Sequence, residues 1–199
     1  MELEDAIRRR RMVRSFTDEA VPTALVDRLV DLARRAPSAG NSQGWDLLVL
    51  DTADATARYW DVTLPAGRRG DFGWPGLLRA PVLVVVWADP GAYVRRYAES
   101  DKAATGLGES PGAWPVPYWF VDAGAAVEHL LLGAVAVGLG ACLFGLFEHE
   151  VSVAAEFGVP AGRRGVGTVA LGWPAPDRPG TSAGRPRRSL ADVVHRGRW

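Results

Sequence analysis

Lysine and cysteine are nearly missing from this 199-residue chain, and net charge is missing altogether. Lys102 is the only lysine, so the positive charge is almost wholly arginine. Lys+Arg and Asp+Glu each number 23, a balance that leaves no electrostatic footprint for DNA, RNA or an anionic membrane. Cys142 is the only cysteine, which excludes an intrachain disulfide and a cysteine-based zinc site and suits a reducing cytoplasm. His129, His149 and His195 lack metal-ligand spacing. No P-loop and no G-x-S-x-G elbow occur. Gly138-Leu139-Gly140 opens like a dinucleotide fingerprint, but Leu143 stands where its third glycine belongs. The acidic opening, Met1-Glu2-Leu3-Glu4-Asp5, has no apolar signal-peptide core, and the expected location is the cytoplasm.

One uncharged run, Leu130 to Phe147, is about long enough to span a bilayer. Asp122, Glu128 and His129 stand just before it, and Gly133, Gly138, Gly140 and Gly145 interrupt it. It reads as a buried core helix followed by a strand. Gly133, Ala134, Ala136 and Gly138 would let another helix approach closely, in a core or at a subunit interface.

Helices are expected over Glu2 to Arg10, from Val21-Pro22-Thr23 to a stop at Pro37, over Asp51 to Trp60, from about Phe120 to Leu139, and over Glu150 to Phe157. Strands are expected at Leu47 to Leu50, Val82 to Trp87 and Val166 to Leu171, with a strand or extended turn at Cys142 to Phe147. The valine-rich run Val82 to Trp87 predicts a strand buried on both faces beneath helices. Pro65 to Gly76 and Gly106 to Pro117 read as loops. No repeat or linker divides the chain, so residues 1–199 form one α+β domain with a few mixed strands. The tail from about 175 to 199 is expected to pack on another subunit.

Three polar clusters remain. Arg8-Arg9-Arg10-Arg11 leads into Arg14-Ser15-Phe16. Four consecutive arginines repel one another, and either solvent or a bound phosphate would relieve them. Ala36-Pro37-Ser38-Ala39-Gly40-Asn41-Ser42-Gln43 offers hydroxyls, amides and backbone N–H groups just after a helix. It is either a helix stop and turn or a grip for a polar heterocycle. Arg185-Pro186-Arg187-Arg188 is a stiffened basic tail. Together the three suit one ligand that bears a phosphate and a polar chain.

Five stretches, in order along nearly the whole chain, resemble the nitroreductase family of FMN enzymes. They are Arg10-Arg11-Met12-Val13-Arg14-Ser15-Phe16, Ala36 to Trp45, Gly138-Leu139-Gly140, Leu171-Gly172-Trp173-Pro174 and Arg187-Arg188-Ser189-Leu190. The resemblance implies an α/β sandwich, a mixed central sheet flanked by helices, in an intertwined homodimer with FMN between the subunits. It implies that Arg10, Arg11, Arg185 and Arg187 hold the FMN phosphate, with Met12 beside them and Arg14 near the pyrimidine side of the flavin. Pro37, Ser38, Ala39, Asn41 and Gln43 would reach the flavin from the other subunit. Leu143, Phe144 and Gly145 would line the ring, with a backbone N–H toward its reactive nitrogen. The implied reaction is ping-pong, on the flavin itself, with no side chain as essential acid or base. NADH or NADPH would be the donor, and a nitroaromatic, quinone or similar electron-poor small molecule the acceptor.

The chain also departs from that pattern. Met12 replaces a frequent serine, Gly44 replaces a proline, and Asp71-Phe72-Gly73-Trp74-Pro75-Gly76 lacks the Asn or Lys that many relatives turn toward the flavin. Those departures leave room for same-fold chemistry such as dehydrogenation, reductive dehalogenation or flavin fragmentation, or for flavin binding without turnover. Trp114, Tyr118 and Trp119 would either cover the flavin and select flat substrates or simply pack over the long helix.

Overall fold

The computed structural model describes every residue except Thr181. Its centre is a four-stranded sheet in the order β1 (Trp45–Leu50), β2 (Val82–Ala88), β4 (Arg164–Gly172), β3 (Gly140–Phe144). Strand β2 is an inner strand and every residue of it is buried, as the valine run predicts. Its side chains alternate across the sheet. Val82, Val84 and Val86 enter one core with Val26, Leu29 and Leu130, while Leu83, Val85 and Trp87 enter a second with Tyr59, Trp60 and Val153. Each such side chain contributes about 1.5–3 kcal/mol by leaving water.

The mixed sheet expected from sequence is corrected here. All three ladders, β1 with β2, β2 with β4 and β3 with β4, are antiparallel. A run that is apolar on both faces reports burial, and burial alone does not set strand direction. One parallel element remains, the isolated bridge Met12↔Ala141 beside β3.

Among the described residues there are eight α-helices: α1 (Leu3–Arg9), α2 (Thr23–Ala33), α3 (Ala53–Thr63), α4 (Ala66–Arg69), α5 (Pro90–Tyr97), α6 (Tyr118–Ala136), α7 (Glu150–Phe157) and α8 (Leu190–Val193). Helices α2 and α6 cover the first face, and α3 and α7 the second. Thr52 caps α3 by accepting the Ala55 N–H at 3.2 Å, and Gly158 ends α7 in the left-handed conformation. Helix α5 is absent from the sequence expectations. Tyr93 is its one buried aromatic, and the helix is set chiefly by Pro90 in its first turn.

The apolar run begins earlier than expected, as α6, and ends as β3. By length and composition α6 could cross a membrane, yet half of it is buried inside this fold, against α2 and the sheet. Gly133 makes that packing possible. A Cβ there would stand 2.8 Å from Leu29 Cδ2, so the close approach is to α2 of the same chain.

Candidate functional site

The two ends of the chain meet beside β3. Residues after α1 run extended, with the Val13 N–H donating to the Ala141 carbonyl at 2.9 Å. The next residues pair with the segment after β4. Thr17 N–H donates to Trp173 O at 2.9 Å, Ala175 N–H to Ser15 O at 3.0 Å, and Phe16 bridges Pro174. Asp177 then accepts the Arg14 backbone N–H at 2.8 Å.

Between these strands of chain lies a cavity of about 790 Å³. Its charged lining is Arg10, Arg11, Arg14, Arg178 and Arg187 against Asp177 alone. Arg10 pairs loosely with Glu128 at 3.4 Å. The side chains of Arg11 and Arg187 have no hydrogen-bond or ion-pair partner among the described residues. A net positive pocket with two unpaired guanidinium groups has the chemistry to receive an anion with several acceptor oxygens. Met12 lines it as well. Its sulfur accepts the Leu143 N–H at 3.4 Å, tying this segment to the end of β3. Arg185 is not among the lining residues and is exposed.

A second cavity, about 430 Å³, shares the Arg14 wall. Leu143, Phe144 and Gly145 line it, with Trp60, Phe72 and Trp74. Trp60 stacks on Phe144 at 5.8 Å between centroids, with planes 13° apart, giving this cavity a flat aromatic wall. Of the three expected backbone donors, the Leu143 N–H is already taken by Met12. Phe147 follows with φ +45° and is highly exposed. Cys142 also lines the cavity; burial pushes its thiol up, against a smaller opposing pull from Arg14, so it stands as a neutral thiol.

The Ala36–Gln43 turn lies elsewhere on the chain. Gly40, Asn41 and Gln43 have φ of +61°, +56° and +48°. Such conformations are costly for residues with a Cβ and persist where the surroundings impose them. Asp122 of α6, nearly buried, accepts the Ala39 N–H at 2.8 Å and the Tyr93 hydroxyl at 2.7 Å on one oxygen. Arg96 donates to the Gly40 carbonyl at 2.8 Å. The Ser38 hydroxyl accepts the Gln43 N–H at 2.9 Å and keeps its own hydrogen to donate. Pro37, Asn41 and Gln43 are exposed. This turn borders neither cavity above.

Ala39 instead lines a third cavity with Trp114 and Tyr118. Of the two readings left open for the aromatic loop, cover over the flavin or plain packing, Trp114 and Trp119 follow the second. Trp114 and Trp119 are buried against Tyr93, and the Trp114 indole N–H is fixed on the Leu107 carbonyl at 2.9 Å. Tyr118 alone of the three is exposed. Sequence reasoning missed Asp122, Trp74 and Arg178 as site residues. An acid in the first, otherwise uncharged turns of an apolar helix was the available signal for Asp122.

Comparison with known proteins follows the same outline. Residues 7–173 match the model of the Nitroreductase family. A 4-nitrobenzoate reductase of Nocardioides sp. is 32% identical over 87% of this chain and 81% of its own. An NADH dehydrogenase of Thermus thermophilus is 31% identical over 88% of each. A solved structure from Desulfovibrio desulfuricans in complex with FMN superimposes with a TM-score of 0.67 at 25% identity, covering 98% of this chain and 95% of that one.

Proposed function

This chain belongs to the nitroreductase family, and from that premise we propose that it is an FMN-dependent oxidoreductase, driven by NADH or NADPH, that reduces nitroaromatic, quinone or similar electron-poor acceptors. The observation that carries this reading is the shared wall at Arg14, which joins an anion-receptive cavity to an aromatic one. FMN has that division, a phosphate at one end and a flat ring at the other. The chemistry of the residues present fits it.

In this reading Arg10, Arg11 and Arg187 hold the phosphate, and Met12 and Val13 form the floor beside them. When bound, the flavin supplies the capacity to accept hydride from a nicotinamide and to pass electrons on. Arg14 holds a fixed positive charge beside the ring, where added electron density is stabilised. Leu143, Phe144 and Gly145 set one edge of the ring pocket, and Trp60 and Phe144 exclude water from it. The relatives' names, 4-nitrobenzoate reductase and NADH dehydrogenase, support an acceptor and a donor of these classes.

The Pro37–Gln43 turn completes the site from a second copy of the chain, so the working unit is a homodimer. Its strained, solvent-facing amides and its distance from the cavities of its own protomer support that assignment. The exposed apolar tail residues Leu190, Val193, Val194 and Trp199 support a tail that packs on the partner. Tyr118 is the remaining aromatic candidate to meet substrate. No nucleic acid and no membrane takes part, and the setting is a reducing cytoplasm.

Anaerobic mixing of the flavin-loaded protein with NADH and with NADPH tests the reading. Bleaching of the yellow colour by either donor, and its return on adding a nitroaromatic or quinone, is the expected result. Colour that persists with both donors would leave a flavin-binding protein without this reductase activity.

A further inference from the structure

The segment Asp71–Gly76, which lacks the family's polar contribution, carries an aromatic one. The Trp74 ring receives two guanidinium groups: Arg14 with its central carbon 5.0 Å from the ring centroid, and Arg178 at 4.4 Å. Both lie inside the range of a cation–π contact. The arrangement is anchored on every side. Arg178 donates to the Gly73 carbonyl. Its neighbour Asp177 holds the Arg14 backbone. Gly76 packs so tightly on Ser15 that a Cβ there would stand 2.8 Å from Ser15 Cα, and its carbonyl accepts the Phe16 N–H at 3.2 Å. The loop bearing Trp74 is therefore locked to the residues on both sides of Arg14's neighbour Ser15.

Position gives this stack its meaning. Arg14 borders both the anion-receptive and the aromatic cavity, Arg178 borders the first, and Trp74 borders the second. Two like charges brought to one place repel, and contact of each with the same indole ring lowers that cost while fixing where each charge sits.

We infer that Trp74 is a positioning residue, which holds the Arg14 and Arg178 guanidinium groups at the junction of the two cavities and so sets the positive field felt by the flavin. The inference rests on the flavin reading above. It assigns to Trp74, acting through two arginines, the electrostatic contact that relatives draw from a polar side chain in this segment. A charge held there favours the electron-rich reduced ring over the oxidised one, so loosening it makes the flavin harder to reduce.

The test uses the full-length protein in four forms: wild type, Trp74→Phe, Trp74→Leu and Arg178→Gln. Each is stripped of flavin, titrated with FMN, and then poised against redox dyes to read the midpoint potential. Trp74→Leu should bind reduced flavin about tenfold less tightly relative to oxidised flavin, which for a two-electron couple is about 30 mV toward negative potential. Trp74→Phe keeps an aromatic face and should restore most of the wild-type potential. Arg178→Gln should shift the potential in the same direction as Trp74→Leu, and it leaves the core intact should Trp74→Leu fail to fold. A purely structural Trp74 would change urea stability and leave the potential alone. Unchanged potentials in both Trp74→Leu and Arg178→Gln, with normal FMN uptake by the wild type, overturn this inference by itself. A wild-type chain that takes up no FMN overturns the flavin reading and this inference with it.

Discussion

Asp122 Oδ2 lies 2.8 Å from the Ala39 backbone nitrogen, so a carboxylate on the long core helix holds up the turn that carries Ser38, Asn41 and Gln43. The same oxygen takes the Tyr93 hydroxyl at 2.7 Å. Asp122→Ala strands both donors in a buried place, at about 1–3 kcal/mol each if unrelieved. Urea melts should show that loss of stability, and FMN affinity should fall with it because the turn loses its support. Asp122→Asn retains an acceptor for Ala39 and should recover more than half of the lost stability. Equal stability of the wild type and Asp122→Ala would mean that water replaces the carboxylate.

The arginines of the two chain ends should separate by position. Arg11→Ala and Arg187→Ala remove unpaired guanidinium groups from the large cavity, and each should weaken FMN binding by about 1.5–3 kcal/mol, roughly tenfold to a hundredfold. Arg185→Ala removes a group outside that cavity and should change affinity less than about threefold. Fluorescence titration of the three variants with FMN gives the comparison. A larger loss for Arg185 than for Arg187 would place the phosphate elsewhere.

Two buried tyrosines give a sign to the alkaline limb of stability. Burial, the larger effect, pushes the Tyr59 hydroxyl up to about 12, against its hydrogen bond with Thr168. Burial also raises the Tyr93 hydroxyl, and the neighbouring Asp122 carboxylate raises it further. In both, the folded protein favours the neutral form. Their contribution is whole below the unfolded value near 10 and is lost as pH climbs toward the folded values. Urea stability should therefore fall between about pH 10 and 12, by up to about 1.4 kcal/mol per pH unit for each group. Tyr59→Phe should flatten that slope. A stability that holds constant across this range would contradict the burial of both hydroxyls.

Packing of α6 on α2 should respond to volume at one position. Gly133→Val forces a side chain into the 2.8 Å approach to Leu29 and should destabilise the fold by about 1–3 kcal/mol. Gly124→Ala, with nothing within 4 Å of the added Cβ, should be neutral or slightly stabilising, since it also removes a helical glycine. Thermal melts of the two variants make the check.

Elements with a strong period were legible in the sequence. Val82–Trp87 announced its burial on both faces, and Glu150–Phe157 its helix and glycine stop, because hydrophobic spacing and end signals agree there. Strand direction was not legible, since β2 looks the same whether its neighbours run with it or against it. Helix α5 was missed although Pro90 marks its first turn, because its apolar side is short: Tyr93 and Tyr97, one turn apart, pack on Trp114 from a distant part of the chain. Within the site, the arginine runs marked the cavity but not which members line it: Arg187 does and Arg185 does not. The cavity itself is closed by the pairing of residues 14–17 with residues 173–177, a long-range relation no local pattern carries. Trp74 and Arg178 were invisible for the same reason. Each is ordinary in its own segment and gains a role only when the two segments meet.

Titration of the purified, flavin-stripped protein with FMN, followed by flavin fluorescence, shows whether the chain ends and the aromatic wall together hold one flavin. Saturable binding with one FMN per chain, weakened by added inorganic phosphate that competes for the arginines, is the expected result. Fluorescence that tracks free FMN throughout the titration, with no saturation, would contradict it.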